Sequence, residues 1–294
     1  MAGWPKKSTI VRTKMAALRT TFGLLERWAP ELGGRLALQL WCTPVYAAPA
    51  PTPPGGTRRA VRVPGGVVAT ESWGSGPRVY LLHGWGGHRG QLSSMVEPLV
   101  AAGHQVIAVD ALGHGDSGPG PLGRNRATLP EFADALTAVV AEYGPAHAVV
   151  AHSLGGAAAA VAVLDGLPAG RLAFVSPVSD PNPQIRFFAK AFGFGDRVSA
   201  ALHRRIEQVG GRPMADYDIP ARARRGDGLP PLLVVHDSGD RQVPHANGAA
   251  IATAWVESEL ITTTRLGHQR ILADRSVVDA VVDFVSSRQR ATTG

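Results

Sequence analysis

At 294 residues, with 45% hydrophobic and 18% charged residues, the chain has the composition of a globular protein with one substantial core, and its length allows one or two domains. The formal charge of +7 comes from 30 basic residues, only four of them lysine, against 23 acidic ones; this pattern suggests a GC-rich coding bias, and the one tight basic cluster, Arg222, Arg224 and Arg225, carries no recognition motif, so no nucleic-acid partner is expected. Cys42 is the only cysteine, which excludes an internal disulfide and a cysteine metal cluster and is compatible with a cytoplasmic location.

Residues 6 to 42 carry apolar side chains at Met15, Leu18, Phe22, Leu25, Trp28, Leu32, Leu36 and Leu40, spacings of three and four that mark one continuous helical face. Pro30 followed by Glu31 fits the first turn of a second helix, and Gly33 with Gly34 is read as loosening the join. Arg19, Glu26, Arg27 and Glu31 interrupt any signal-peptide core, and no run is long enough to span a membrane. The stripe must be buried, so the expected partners of residues 8–42 are the chain's own domain, a second copy in a homodimer, or a membrane surface approached with Lys6, Lys7, Arg12 and Lys14. Residues 43–56 (TPVYAAPAPTPPGG) read as a semi-rigid extended connector, giving a helical extension and connector over 1–56 and a main domain over 57–294.

The main domain opens on a predicted hairpin, Ala60 to Val63 and Val67 to Trp73, turned at Pro64-Gly65-Gly66. Short apolar runs then alternate with helical segments: Val79 to Leu82 ends in HGWGG at 83–87, Val106 to Val109 in DALGHGDSG at 110–118, and Ala148 to Val150 in AHSLGG at 151–156. This rhythm indicates a mostly parallel, doubly wound α/β sheet, in which ligands bind at the carboxyl ends of the strands. After Leu172 to Val175 the alternation breaks; residues 181–229 offer only helical pieces, with Phe187, Phe188, Phe192 and Phe194 clustered, before Leu232 to Val235 leads into HDSGDRQVP at 236–244 and a last strand near Leu260 to Thr263 into LGHQRIL at 266–272.

Strand, abrupt turn and Ala-rich helix around AHSLGG place Ser153 on a sharp, strained bend with the Leu154 amide at a helix N-terminus. A serine hydroxyl needs a base, and the base needs a third group to hold its tautomer. Asp240 and then His268 follow Ser153, each after a separate predicted strand. Beyond Asp240 the only other histidine is His245, five residues from the acid and opening a helix. Asp237 competes with Asp240, but Asp237-Ser238-Gly239 reads as a turn in which the Asp237 side chain accepts a backbone hydrogen bond two residues on.

Four separated motifs, HGWGG, DALGHGDSG, AHSLGG and LGH, in this order over residues 57–294, resemble the α/β-hydrolase superfamily in its bacterial serine esterase and lipase branch, with Ala151 standing where the usual elbow has glycine. The resemblance implies an α/β-hydrolase fold with a small helical cap inserted at about 181–229, a triad of Ser153, Asp240 and His268, and an oxyanion hole made by the amides of Trp85 and Leu154. It assigns His83 to loop orientation and Asp110, Gly113, Gly115 and Ser117 to structure. The activity implied is hydrolysis of a small carboxylic ester through an acyl-serine intermediate, with Trp85, Phe187, Phe188 and Phe192 expected to contact an apolar acyl or alcohol part. Acyl transfer, perhydrolysis, carbon-carbon bond hydrolysis and non-catalytic ligand binding remain as alternatives on the same fold. Neither a metal nor a cofactor is expected, because no ligand spacing or phosphate loop occurs.

Overall fold

The structure is a computed structural model that describes residues 7–287, with side chains from residue 13. In chain order, helices α1 (Lys7–Trp28) and α2 (Pro30–Trp41) precede the hairpin β1 (Thr57–Val63) and β2 (Gly66–Trp73). Then come β3 (Arg78–Leu82), a 3₁₀ turn at Arg89–Met95, α3 (Val96–Ala101), β4 (Gln105–Val109), α4 (Leu129–Tyr143), β5 (Ala146–His152), α5 (Leu154–Leu164) and β6 (Leu172–Val175). Two helices, α6 (Asn182–Phe192) and α7 (Asp196–Gly210), and the short α8 (Ile219–Ala223) interrupt the alternation. It resumes with β7 (Leu232–Asp237), α9 (Ala246–Ala254), β8 (Ser258–Thr263), α10 (Gly267–Arg270) and α11 (Arg275–Ser286).

The strands form one eight-stranded sheet in the order β1-β2-β4-β3-β5-β6-β7-β8. The hairpin supplies the antiparallel pairs, β1 with β2 and β2 with β4, and every other pair is parallel. Valine and leucine runs such as Val79 to Leu82 and Leu232 to Val235 are buried along their length, as strands covered by helices on both faces must be. On one face Val79, Leu81, Ala108 and Val150 pack with Leu92, Leu99, Val281 and Val285 from the flanking helices and turn.

The chain divides into two compact units: Met1–Thr43 with Pro181–Ala215, and Pro44–Asp180 with Asp216–Gly294. The second contains the whole sheet. In the first, α1 and α2 find their burial partner within the chain, packing on α6 and α7. The aromatic rings meet there: Phe22 lies 4.9 Å from Phe194 and 6.0 Å from Phe192, and Phe188 lies 4.5 Å from Phe192 and 5.4 Å from Trp41. Gly33 and Gly34 have a reason other than a loosened join. A Cβ on Gly33 would fall 2.5 Å from Val198 Cγ2 and one on Gly34 2.6 Å from Ala201 Cβ, so the two glycines let α2 and α7 touch backbone to side chain. The apolar stripe is not one continuous buried face either, because the helix breaks at Ala29: Phe22 and Ala37 are fully buried, whereas Trp28 is 73% and Leu32 55% exposed.

Candidate active site

The central strands β3, β4 and β5 run parallel and end at Leu82, Val109 and His152, so the loops that follow them gather at one end of the sheet. Ser153 stands at the turn from β5 into α5 with φ 53° and ψ −120°, a left-handed backbone that a non-glycine residue adopts only where its surroundings impose it. Its amide donates to Val175 O at 3.0 Å, which ties the turn to the next strand. The small residues around it are required by packing. Ala151 is fully buried, and a Cβ on Gly155 would stand 2.4 Å from His83 O and 2.7 Å from Leu82 O.

His268, on α10, is buried, and its two ring nitrogens reach two different loops. Nδ1 lies 2.7 Å from Asp240 Oδ2, and Nε2 lies 3.0 Å from Ser153 Oγ. With Nδ1 protonated against the carboxylate, Nε2 is left as the acceptor for the serine hydroxyl, an assignment made from the hydrogen-bond network. Asp240 Oδ1 accepts from the amides of Gln242 and Val243 at 2.8 and 3.0 Å. Burial alone would raise the Asp240 carboxyl, but the contacts with His236 and His268 and the Val243 amide outweigh it and hold the group below the usual carboxylate range. Asp237, fully buried, is turned to other partners: Oδ1 accepts from the Gly239 amide at 2.9 Å, and Oδ2 from Thr263 Oγ1 and the Leu266 amide, both at 3.0 Å.

The HGWGG loop borders the serine. A Cβ on Gly84 would lie 2.9 Å from Ser153 Cβ, so the Gly84-Trp85 peptide passes alongside the side chain. Neither the Trp85 nor the Leu154 amide has an acceptor among the described residues. Two buried histidines fix this loop. His83 donates from Nδ1 to Gly84 O (2.7 Å) and accepts at Nε2 from the Ala111 amide (3.0 Å); His114 accepts at Nε2 from the Gly86 amide (3.1 Å). Burial, followed by the neighbouring His114, keeps His83 neutral, well below the ordinary imidazole range. The Trp85 ring, half-buried, packs 5.5 Å from His114 and 6.3 Å from Phe132. Asp110 accepts from the amides of Arg89 (2.5 Å) and Asp116 (2.9 Å) and pairs with the Arg89 guanidinium. Ser117 Oγ donates to Asp110 O and accepts from the Ala69 amide.

Four features near the serine escape the sequence reading. His152, beside Ser153, is buried and donates to His268 O at 3.0 Å; burial, and then the His268 ring, push it down to about 3. Gln91 Oε1 accepts from the Gly84 amide at 2.9 Å, and its amide nitrogen reaches Gln269 Oε1 at 3.1 Å, so it links the loops that carry Trp85 and His268. His236 donates to Val243 O at 3.0 Å with Nε2 3.6 Å from Asp240 Oδ2. The connector is also more than a spacer. Ala47 N donates to Gly86 O at 2.8 Å, Tyr46 Oη donates to Gly113 O at 2.6 Å, and a Cβ on Gly86 would stand 2.2 Å from Val45 O. Phe187, Phe188 and Phe192 lie on α6 in the helical unit. Phe188 and Phe192 make the ring contacts described above, and Phe187 is 75% exposed. Among the described residues no three His, Cys, Asp or Glu side chains come together as a metal site.

Residues 77–196 match the family described as alpha/beta hydrolase fold, and residues 203–294 match the family described as TAP-like protein. Among solved structures, an esterase from Exiguobacterium antarcticum is similar with a TM-score of 0.60 at 17% identity, covering 79% of this chain and 100% of that one. An esterase from Rhodococcus sp. is similar with a TM-score of 0.58 at 20% identity, covering 79% and 98%. The curated Drosophila melanogaster protein named "Probable serine hydrolase" is 32% identical over 101 residues, which span 33% of this chain and only 30% of that relative. With its sheet order and the motif loops at the carboxyl ends of its strands, the chain has the α/β-hydrolase fold, and its residues 77–196 match the family of that name.

Proposed function

We propose that the protein is a serine hydrolase that cleaves carboxylic esters of small molecules through an acyl-serine intermediate. The observation that carries this reading is the continuous hydrogen-bonded line from Asp240 through His268 to Ser153, at 2.7 and 3.0 Å, ending on a serine held in a left-handed backbone. In the first step His268 Nε2 takes the hydroxyl proton as Ser153 Oγ attacks the ester carbonyl, and the ionised Asp240 stabilises the imidazolium that forms. Trp85 and Leu154 amides donate to the oxyanion of the tetrahedral intermediate. Collapse expels the alcohol, which leaves with the proton from His268; water then attacks the acyl-serine with His268 again as base, releasing the acid and restoring the serine. The esterases of similar fold favour this chemistry over other uses of the same three residues. Serine at the elbow also argues against branches that attack carbon with a carboxylate.

Labelling with a fluorophosphonate probe, followed by peptide mass analysis, tests the assignment. Modification of Ser153, together with turnover across a chain-length series of aryl esters, is the expected result. A folded protein that is neither labelled nor active on any member of the series contradicts it.

A further inference from the structure

We infer that the helical unit, residues 1–43 with 181–215, docks on an anionic lipid surface. Charge and exposed apolar area are both concentrated there. The unit holds thirteen Lys and Arg against four Asp and Glu, whereas the remaining residues of the chain hold seventeen against nineteen; the entire positive charge of the protein therefore belongs to this unit. Its carboxylates are largely engaged internally. Glu26 accepts from the amides of Gly195, Arg197 and Val198 at the start of α7, Glu31 pairs with Arg204 and Arg205, and Glu207 accepts from the Met214 amide. Lys14, Arg19, Arg27, Arg35, Arg186 and Lys190 are exposed and have no carboxylate partner among the described residues.

Large apolar side chains stand among these cations. Leu24 and Trp28 lie one turn apart on α1 at 59% and 73% exposure, and Phe187 lies on α6 at 75%, between the exposed Arg186 and Lys190. The Arg27 guanidinium covers the Trp28 ring at 5.0 Å. Leu24 and Phe187 lie outside the stripe that the helical periodicity marks, and Trp28, which belongs to it, stays exposed because α6 and α7 cover only the inner side of the stripe. Single exposed hydrophobics are ordinary, but isolated aromatics flanked by unpaired arginine and lysine on helices match the chemistry of an interface where rings sit at headgroup depth and cations meet lipid phosphate. No helix among the described residues is long and apolar enough to cross a membrane, so the attachment inferred is peripheral. It does not depend on the ester reaction.

The test is sedimentation of the full-length protein with phosphatidylcholine vesicles, with and without about a third phosphatidylglycerol. Binding to the anionic vesicles is expected to exceed binding to the neutral ones by at least about tenfold, and to fall at least about tenfold between about 0.1 and 0.5 M NaCl. The variant Leu24→Ser/Trp28→Ser/Phe187→Ser, whose changes are all at exposed positions, should keep the parent's melting curve and bind about tenfold more weakly. Charge reversal by Arg186→Glu/Lys190→Glu should weaken binding by a similar factor. Absence of binding to anionic vesicles, equal binding to neutral vesicles, or undiminished binding by both variants would overturn the inference. So would a concentration-dependent dimer, lost in the triple serine variant, from a parent that ignores vesicles, since the face would then belong to a second copy.

Discussion

Asp237 and Asp240 lie three residues apart at the end of β7, and only Asp240 reaches His268, with its Oδ2 2.7 Å from Nδ1, while Asp237 spends both oxygens on Gly239, Thr263 and Leu266. The two carboxylates therefore make separable predictions. Asp240→Asn should leave His268 in the wrong tautomer and lower kcat by up to about 10⁴ with little change in melting. Asp237→Asn should retain most activity and lose about 1–3 kcal/mol of stability through its buried hydrogen bonds. Ester turnover and denaturant unfolding of both variants decide this; a reversal of the two phenotypes would give the acid role to Asp237.

The sequence makes this choice legible because turn chemistry is local: an aspartate two residues before glycine can cap its own turn wherever the chain goes. The strand ends and their motifs are legible for a similar reason, since a buried apolar run followed by HGWGG or AHSLGG is contained within a few residues. What is not legible is long-range. Nothing in TPVYAAPAPTPPGG says that Ala47 and Tyr46 will hydrogen-bond to Gly86 and Gly113. Nor does the periodicity of residues 6–42 reveal that Phe22 and Trp41 will meet rings of a segment about 150 residues later; it specifies that a face is buried, not what buries it. His152, His236 and Gln91 are silent in the sequence because their roles depend on atoms contributed by other loops.

Those ring contacts predict how the helical unit fails. Phe188→Ala removes contacts to Trp41, Phe192 and Phe194 and should destabilise by about 2 kcal/mol or more, whereas Phe187→Ala, at an exposed position, should stay within about 0.5 kcal/mol. Deleting residues 1–42 takes away Phe22 and Trp41 together and should increase binding of a hydrophobic dye and reduce solubility. Equal melting of Phe188→Ala and the parent would contradict a structural role for the cluster, and a change confined to acyl-chain selectivity would return it to substrate binding.

Buried neutral histidines predict an acid limb of stability. Burial holds His152 down to about 3 and His83 well below its ordinary value, while in the unfolded chain both titrate near about 6.5. As the pH falls through about 6.5 the unfolded state takes up protons that the folded state refuses, so the stability that is complete above that pH is progressively lost below it. Between about pH 7.5 and 5.5 His152 should cost about 1.4 kcal/mol, and His83 acts in the same direction. Asp240, also depressed, loses its contribution only below about pH 4 and does not enter this window. Urea unfolding at the two pH values, for the parent and for His152→Gln, measures the effect; the variant should lose about 1.4 kcal/mol less than the parent, and parallel losses would show that His152 does not carry it.

Ser153→Ala tests the proposed chemistry most directly, with aryl-ester turnover and thermal melting measured on the same preparation. In the proposed mechanism Oγ is the attacking atom and the three side chains act as a unit, so its removal should lower turnover by about 10⁴ or more while the melting temperature stays with the parent's. Ester hydrolysis retained by a folded Ser153→Ala protein would contradict the assignment of Ser153 as the nucleophile, and with it the acyl-serine route.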